Sequence, residues 1–140
     1  MRFVLDNSVA MRWLFGDGSP EDSAYAERVL SLLEQEGTEA VVPSLWGLEA
    51  ANVIVRAEAK GLLAEARSAE FLGLLQGMAI TVDAATAGRA LNDTLQLARR
   101  FKLSAYDASY LELALREGLP LATVDAALRG AVEKTGAALA

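Results

Sequence analysis

The sequence predicts an α/β fold built on a parallel sheet. Three observations carry that expectation. Short apolar or β-branched runs recur along the chain: F-V-L (3–5), V-V (41–42), A-I-T-V (79–82) and L-A-T-V (121–124). Helical patterns, each with its own start and stop residues, separate them. Strands that alternate with helices pair in parallel, because each helical crossover returns the chain to the same edge of the sheet.

The elements follow in order. V-A-M-R-W-L-F after the first strand reads as a helix. S-P-E-D (19–22) starts the next, with Ser19 as cap and Pro20 at the first helical position, where its missing N–H costs nothing. That helix carries Val29, Leu30, Leu32 and Leu33 and runs to about Gly37. Pro43-Ser44 opens a helix that stops near Gly61. Glu49 is expected about two turns into it, on a stripe with Leu45, Leu48 and Asn52, because residues three and four apart share a face. A helix with Phe71, Leu72, Leu74 and Leu75 ends near Gly77. Asp83 is placed to cap the helix holding Leu91, Leu95 and Leu97. S-A-Y-D (104–107) starts another, stopped by Gly118 and Pro120. Asp125 caps a short last helix, and the final A-A-L-A is expected to add an edge strand.

Composition bounds the chemistry. The 140 residues fit one domain, 1–140, with no linker, repeat or low-complexity tract. There is no cysteine and no histidine. Thiolate and imidazole metal sites, cysteine nucleophiles and Ser-His-Asp triads are therefore excluded. Catalysis must run on carboxylates, hydroxyls, Lys or Arg, helped by a metal. The net charge of −6 argues against a broad basic surface. It does not exclude a nucleic-acid ligand, because acids gathered around a cation stop repelling phosphate. A hydrophobic fraction of 53% suggests exposed apolar surface and a protein partner. M-R-F-V-L-D is too short for a signal peptide, and no run approaches the roughly 20 residues of a membrane span. A cytoplasmic location is expected.

Asp6 directly follows the first strand and Asp125 the last. In open parallel sheets, ligands sit beyond the carboxyl ends of the strands. Asp107 lies in the first turn of its helix, and neither it nor Glu49 has a Lys or Arg three or four residues away. Capping explains Asp6, Asp107 or Asp125 taken singly, and Ser104 with Asp107 matches a capping box. Asp22, far from a strand end, reads as a cap only, and Asp93 as part of a solvated face. Capping does not explain Glu49, nor four acids aimed at one crevice. Carboxylates gathered without a cation repel one another, and a hard divalent ion with oxygen ligands removes that strain.

These residues resemble a known family. V-L-D-N-S (4–8), L-E-A-A-N (48–52), S-A-Y-D-A-S-Y-L-E-L-A (104–114) and L-A-T-V-D (121–125) look like the motifs of PIN-domain proteins. Among these they are most similar to ribonuclease toxins of the VapC type, with the motifs in family order from end to end. The resemblance implies a Rossmann-like three-layer domain with a short parallel sheet of four or five strands flanked by helices. It implies endonucleolytic, Mg²⁺- or Mn²⁺-dependent cleavage of RNA, a cognate antitoxin protein that binds and inhibits, and a homodimer. The family's acids map onto Asp6, Glu49, Asp107 and Asp125, its small hydroxyl onto Ser8, and its last Thr onto Thr123. Asn7 departs from the family, which usually carries a small residue there.

With no histidine, a metal must supply much of the catalysis. Asp6 and Asp107 are expected to ligate it, with Asp125 direct or through water. Glu49 is expected to position or deprotonate the attacking water, or to help hold a second metal. Ser8 and Asn52 are candidates to orient these groups, and Asn7 to hydrogen-bond a ligand water. Arg12 and R-R-F-K (99–102) are the basic groups to watch, although the latter equally fits a solvated helix end. Tyr106 and Tyr110 suit base stacking or core packing.

Three rivals share the fold class. A haloacid-dehalogenase phosphatase wants D-x-D after the first strand, and Ser8 stands at the second acid's place. A phosphoreceiver domain wants a Lys after a late strand, where this chain has T-V-D. A non-catalytic module engaging a protein partner or RNA remains the alternative.

Overall fold

The structure is a computed structural model and describes residues 1–140. The chain runs β1 (Arg2–Leu5), α1 (Asn7–Phe15), α2 (Pro20–Glu34), β2 (Glu39–Val42), α3 (Trp46–Ala59), α4 (Glu65–Gln76) and β3 (Ile80–Val82). It continues through α5 (Thr86–Arg89), a π-helical turn (Ala90–Thr94), α6 (Leu95–Phe101), α7 (Ala105–Glu117), β4 (Leu121–Ala122) and α8 (Ala126–Thr135). The four strands form one parallel sheet in the order β3-β2-β1-β4. This is the α/β fold that the alternating pattern predicts.

The strand order reverses at β1. The chain steps to one side for β2 and β3, then crosses back to place β4 on the other side. That reversal opens a crevice beyond the carboxyl ends of β1 and β4. Strand β1 is buried at Phe3, Val4 and Leu5, which is why its sequence is continuously apolar rather than alternating. These residues belong to a core of 27 buried side chains drawn from the sheet and from α1, α2, α3, α4, α7 and α8. Helix α7 lies deepest, with every residue from Ala108 to Ala114 buried.

Four elements depart from expectation. Pro43 to Leu45 form a turn, with the Trp46 amide donating to the Pro43 carbonyl at 3.0 Å, so α3 starts later and Glu49 falls in its first turn. The buried face of α3 is Trp46, Ala50, Ile54 and Ala57. Large anchors separated by alanines let the helix approach its neighbours closely, and Leu48 and Asn52 are left exposed. Strand β4 ends at Ala122 because the Thr123 hydroxyl turns toward Asp6. The final A-A-L-A contributes a single parallel bridge, Leu121 to Leu139.

The fourth departure is the region after β3. One helix was expected; α5, the π turn and α6 are found, and Leu91 points outward at 83% exposure. Asp83 does not cap it, because Ala85 occupies that place. Arg116 on α7 takes Asp83 instead, at 2.7 Å, while also holding the buried Glu112 at 2.8 Å. The guanidinium keeps the Asp83 carboxyl below its ordinary range.

Replacing Arg116 by Met strands Glu112, which is 4% exposed, as a buried charge with only Arg89 at 4.0 Å. The expected loss is about 3 kcal/mol of unfolding free energy by urea titration. A loss within error of zero contradicts this account of the network.

Candidate active site

Asp6 occupies the N-cap place of α1 but caps nothing, since its side chain makes no bond to the helix amides. Its Oδ2 instead accepts two hydroxyls, from Ser8 at 2.7 Å and from Thr123 at 2.6 Å. Ser8 Oγ also accepts the Val124 amide at 3.3 Å, and Thr123 Oγ1 accepts the Asp125 amide at 3.0 Å. The loop after β4 is thereby tied to the loop after β1. Asp125 caps α8 through the Leu128 amide at 2.9 Å and still faces the crevice.

Asp107 sits in the first turn of α7, where its amide is capped by Ser104 Oγ at 3.0 Å. Its carboxyl is half-buried and lines the same crevice. Glu49 reaches the crevice from the first turn of α3. The Tyr110 hydroxyl donates to Glu49 Oε1 and accepts the Asn7 amide at 3.4 Å. The reading of Asp6, Glu49, Asp107 and Asp125 as neighbours is therefore matched by their placement. The capping role holds for Asp125 as well, so for that residue both readings apply.

No Lys or Arg forms an ion pair with any of these four acids. Burial, above all, raises the carboxyls of Asp6 and Glu49 from their ordinary values. Burial and the charges of Asp125 and Asp6 push Asp107 up to about 6. Burial and two neighbouring carboxylates also raise the Tyr110 phenol, which keeps it a donor.

A hard cation fits this donor set of carboxylate oxygens. The Asn7 side-chain oxygen, buried beside Asp6, has no partner within the protein, which adds an acceptor in search of a donor such as a ligand water. No group of three or more acidic side chains is arranged to hold an ion by itself. An ion here would need water to complete its shell, as Mg²⁺ commonly does with one or two carboxylates.

The crevice measures about 510 Å³. Beyond the acids it is lined by Met11, Phe15, Val53 and Leu62 and by Arg12, Arg56 and Lys60. Arg99, Arg100 and Lys102 of R-R-F-K are not part of it; they close α6 as a solvated helix end. Asn52 does not line this crevice. It is exposed and lines an adjoining groove that shares Asn7, Glu49 and Val53 with it. The role of Tyr110 was missed, although its position three residues after Asp107 places it on the same side of α7. Arg56 and Lys60 were missed too, although they follow Glu49 at seven and eleven residues on the same helical face.

A family model described as PIN domain matches residues 3–134. Among solved structures, PAE2754 from Pyrobaculum aerophilum is similar at 23% identity and a TM-score of 0.68, over 99% of this chain and 83% of that one. A toxin–antitoxin complex from Klebsiella pneumoniae is similar at 20% identity and a TM-score of 0.52, over 88% of this chain and 86% of that one. No curated protein matches the sequence.

Two outcomes are expected at this site. An aspartate raised to about 6 contributes stability that is full below its unfolded value and lost as pH rises through 6. In metal-free buffer, wild type should therefore weaken relative to Asp107→Asn between about pH 4 and pH 6, read from urea midpoints; a constant difference refutes it. Tyr110→Phe removes the donor to Glu49 and the acceptor of the Asn7 amide, and should cost about 1–3 kcal/mol.

Proposed function

The chain belongs to the PIN-domain family, whose members are generally nucleases, and from that premise we propose that it is a metal-dependent endoribonuclease acting as the toxin of a toxin–antitoxin pair. The observation that carries this reading is the convergence of Asp6, Glu49, Asp107 and Asp125 on one crevice with no cationic side chain paired to them. Such an arrangement is strained unless a cation binds, and phosphodiester cleavage is what a cation held this way promotes.

In this reading Asp6 and Asp107 hold Mg²⁺ or Mn²⁺ directly, with Asp125 acting through water. When bound, the ion polarises a phosphoryl oxygen and makes water a better nucleophile. Glu49 accepts a proton from the attacking water, oriented by the Tyr110 hydroxyl. Ser8 and Thr123 fix the direction of Asp6, and the Asn7 amide oxygen takes a hydrogen bond from a ligand water. Burial raises the Glu49 carboxyl above its ordinary value, which makes it a stronger proton acceptor when ionised.

Residues 1–140 act as one domain. No helix is long and apolar enough to cross a membrane. A cytoplasmic location goes with the RNA substrate of this reading. The toxin role draws support from the shared fold of the Klebsiella pneumoniae toxin–antitoxin complex. Leu48, Leu62, Val82 and Leu91, all more than half exposed, offer apolar surface for an antitoxin and for a second copy in a homodimer.

The test is cleavage of structured RNA by the purified chain. It should require Mg²⁺ or Mn²⁺ and stop with chelator. Asp6→Asn and Asp107→Asn should each lower the rate at least ~100-fold while remaining folded by circular dichroism. Metal-independent cleavage, or full activity in either variant, defeats the proposal.

A further inference from the structure

The crevice has two chemically distinct ends. One holds the four carboxylates; the other holds Arg56 and Lys60, which make no ion pair or side-chain hydrogen bond. Arg12 also reaches this end but is shared with Asp17 at 2.9 Å. The ends are joined by a single line on α3. At about 100° per residue, Glu49, Val53 and Arg56 fall within one sector of the α3 face, and Lys60, the C-cap of α3 in αR conformation, continues it. At 1.5 Å rise per residue, Arg56 stands about 10 Å and Lys60 about 16 Å beyond Glu49 along the axis.

We propose that this face of α3 is a track for the backbone of a single RNA strand, with Arg56 and Lys60 binding phosphates that flank the scissile one. The inference rests on the nuclease reading of the same crevice and adds which residues grip the strand beside the cut. Two free cations in line with a general base, a few nucleotides' reach apart, match consecutive phosphates of one strand. Phe15 and the exposed Leu62 line the same stretch and offer apolar contact to bases, the pairing of charge and platform that single strands favour.

The experiment measures binding of a short fluorescent single-stranded RNA by anisotropy across a salt series. Ca²⁺ replaces Mg²⁺ as a hard, oxygen-seeking ion. Each phosphate contact on a single strand contributes about 0.7 to the log–log salt slope. Arg56→Gln with Lys60→Gln should therefore lower the slope by about 1.4, with similar weakening for strands of different sequence. Arg99→Gln with Arg100→Gln removes the same charge outside the crevice and should leave the slope unchanged. Equal loss in both double variants, or no loss in the first, overturns the track. A chain that binds with the predicted slopes yet never cleaves in Mg²⁺ or Mn²⁺ sinks the nuclease reading alone.

Discussion

The structure depends on the pairing of the first strand with the last. Val4 stands beside Leu121 and Leu5 beside Ala122, so the residues leaving the two strands enter the same loop space. There the buried Asp6 carboxylate accepts hydroxyls from Ser8 and from Thr123, which is 117 positions away. A carboxylate buried to this degree is costly unless hydrogen-bonded. Hydroxyls, which carry no charge, satisfy part of its need without neutralising it. Asp6 is thus held in place with no positive partner, while burial raises its carboxyl above the ordinary value.

A second acidic group in the same protein shows what the alternative looks like. Asp83 and the buried Glu112 are tied to Arg116, with Arg89 and Glu117 at the margin. Those charges are spent on one another and join α7 to the end of β3. The crevice acids have the same chemistry and comparable burial, but only hydroxyl and amide partners. The type of partner, more than the number of acids, separates the ion-paired cluster from the unpaired one.

Helix α3 serves both the core and the crevice. Trp46, Ala50, Ile54 and Ala57 bury one face, while Glu49, Val53, Arg56 and Lys60 follow a line beside it. Tyr110 connects this helix to α7, because its phenol lies in the core and its hydroxyl reaches Glu49. Packing of that ring therefore sets the position of a carboxylate. Small changes in the core around α7 are felt at the site through this one bond.

The sequence by itself determined the α/β class, the strand centres, most helix ends and the four acids. Each of these depends on local signals: apolar runs, caps such as Ser19, Ser104 and Asp125, and acids placed directly after strands. Only the tertiary structure decided which face of α3 is buried, since two apolar stripes compete there and the surrounding packing selects the one with alanines. It also decided that Asp83 meets Arg116 and that Tyr110 holds Glu49. Those are contacts between residues 33 to 61 positions apart, or faces chosen by packing, and no periodicity within one helix encodes them.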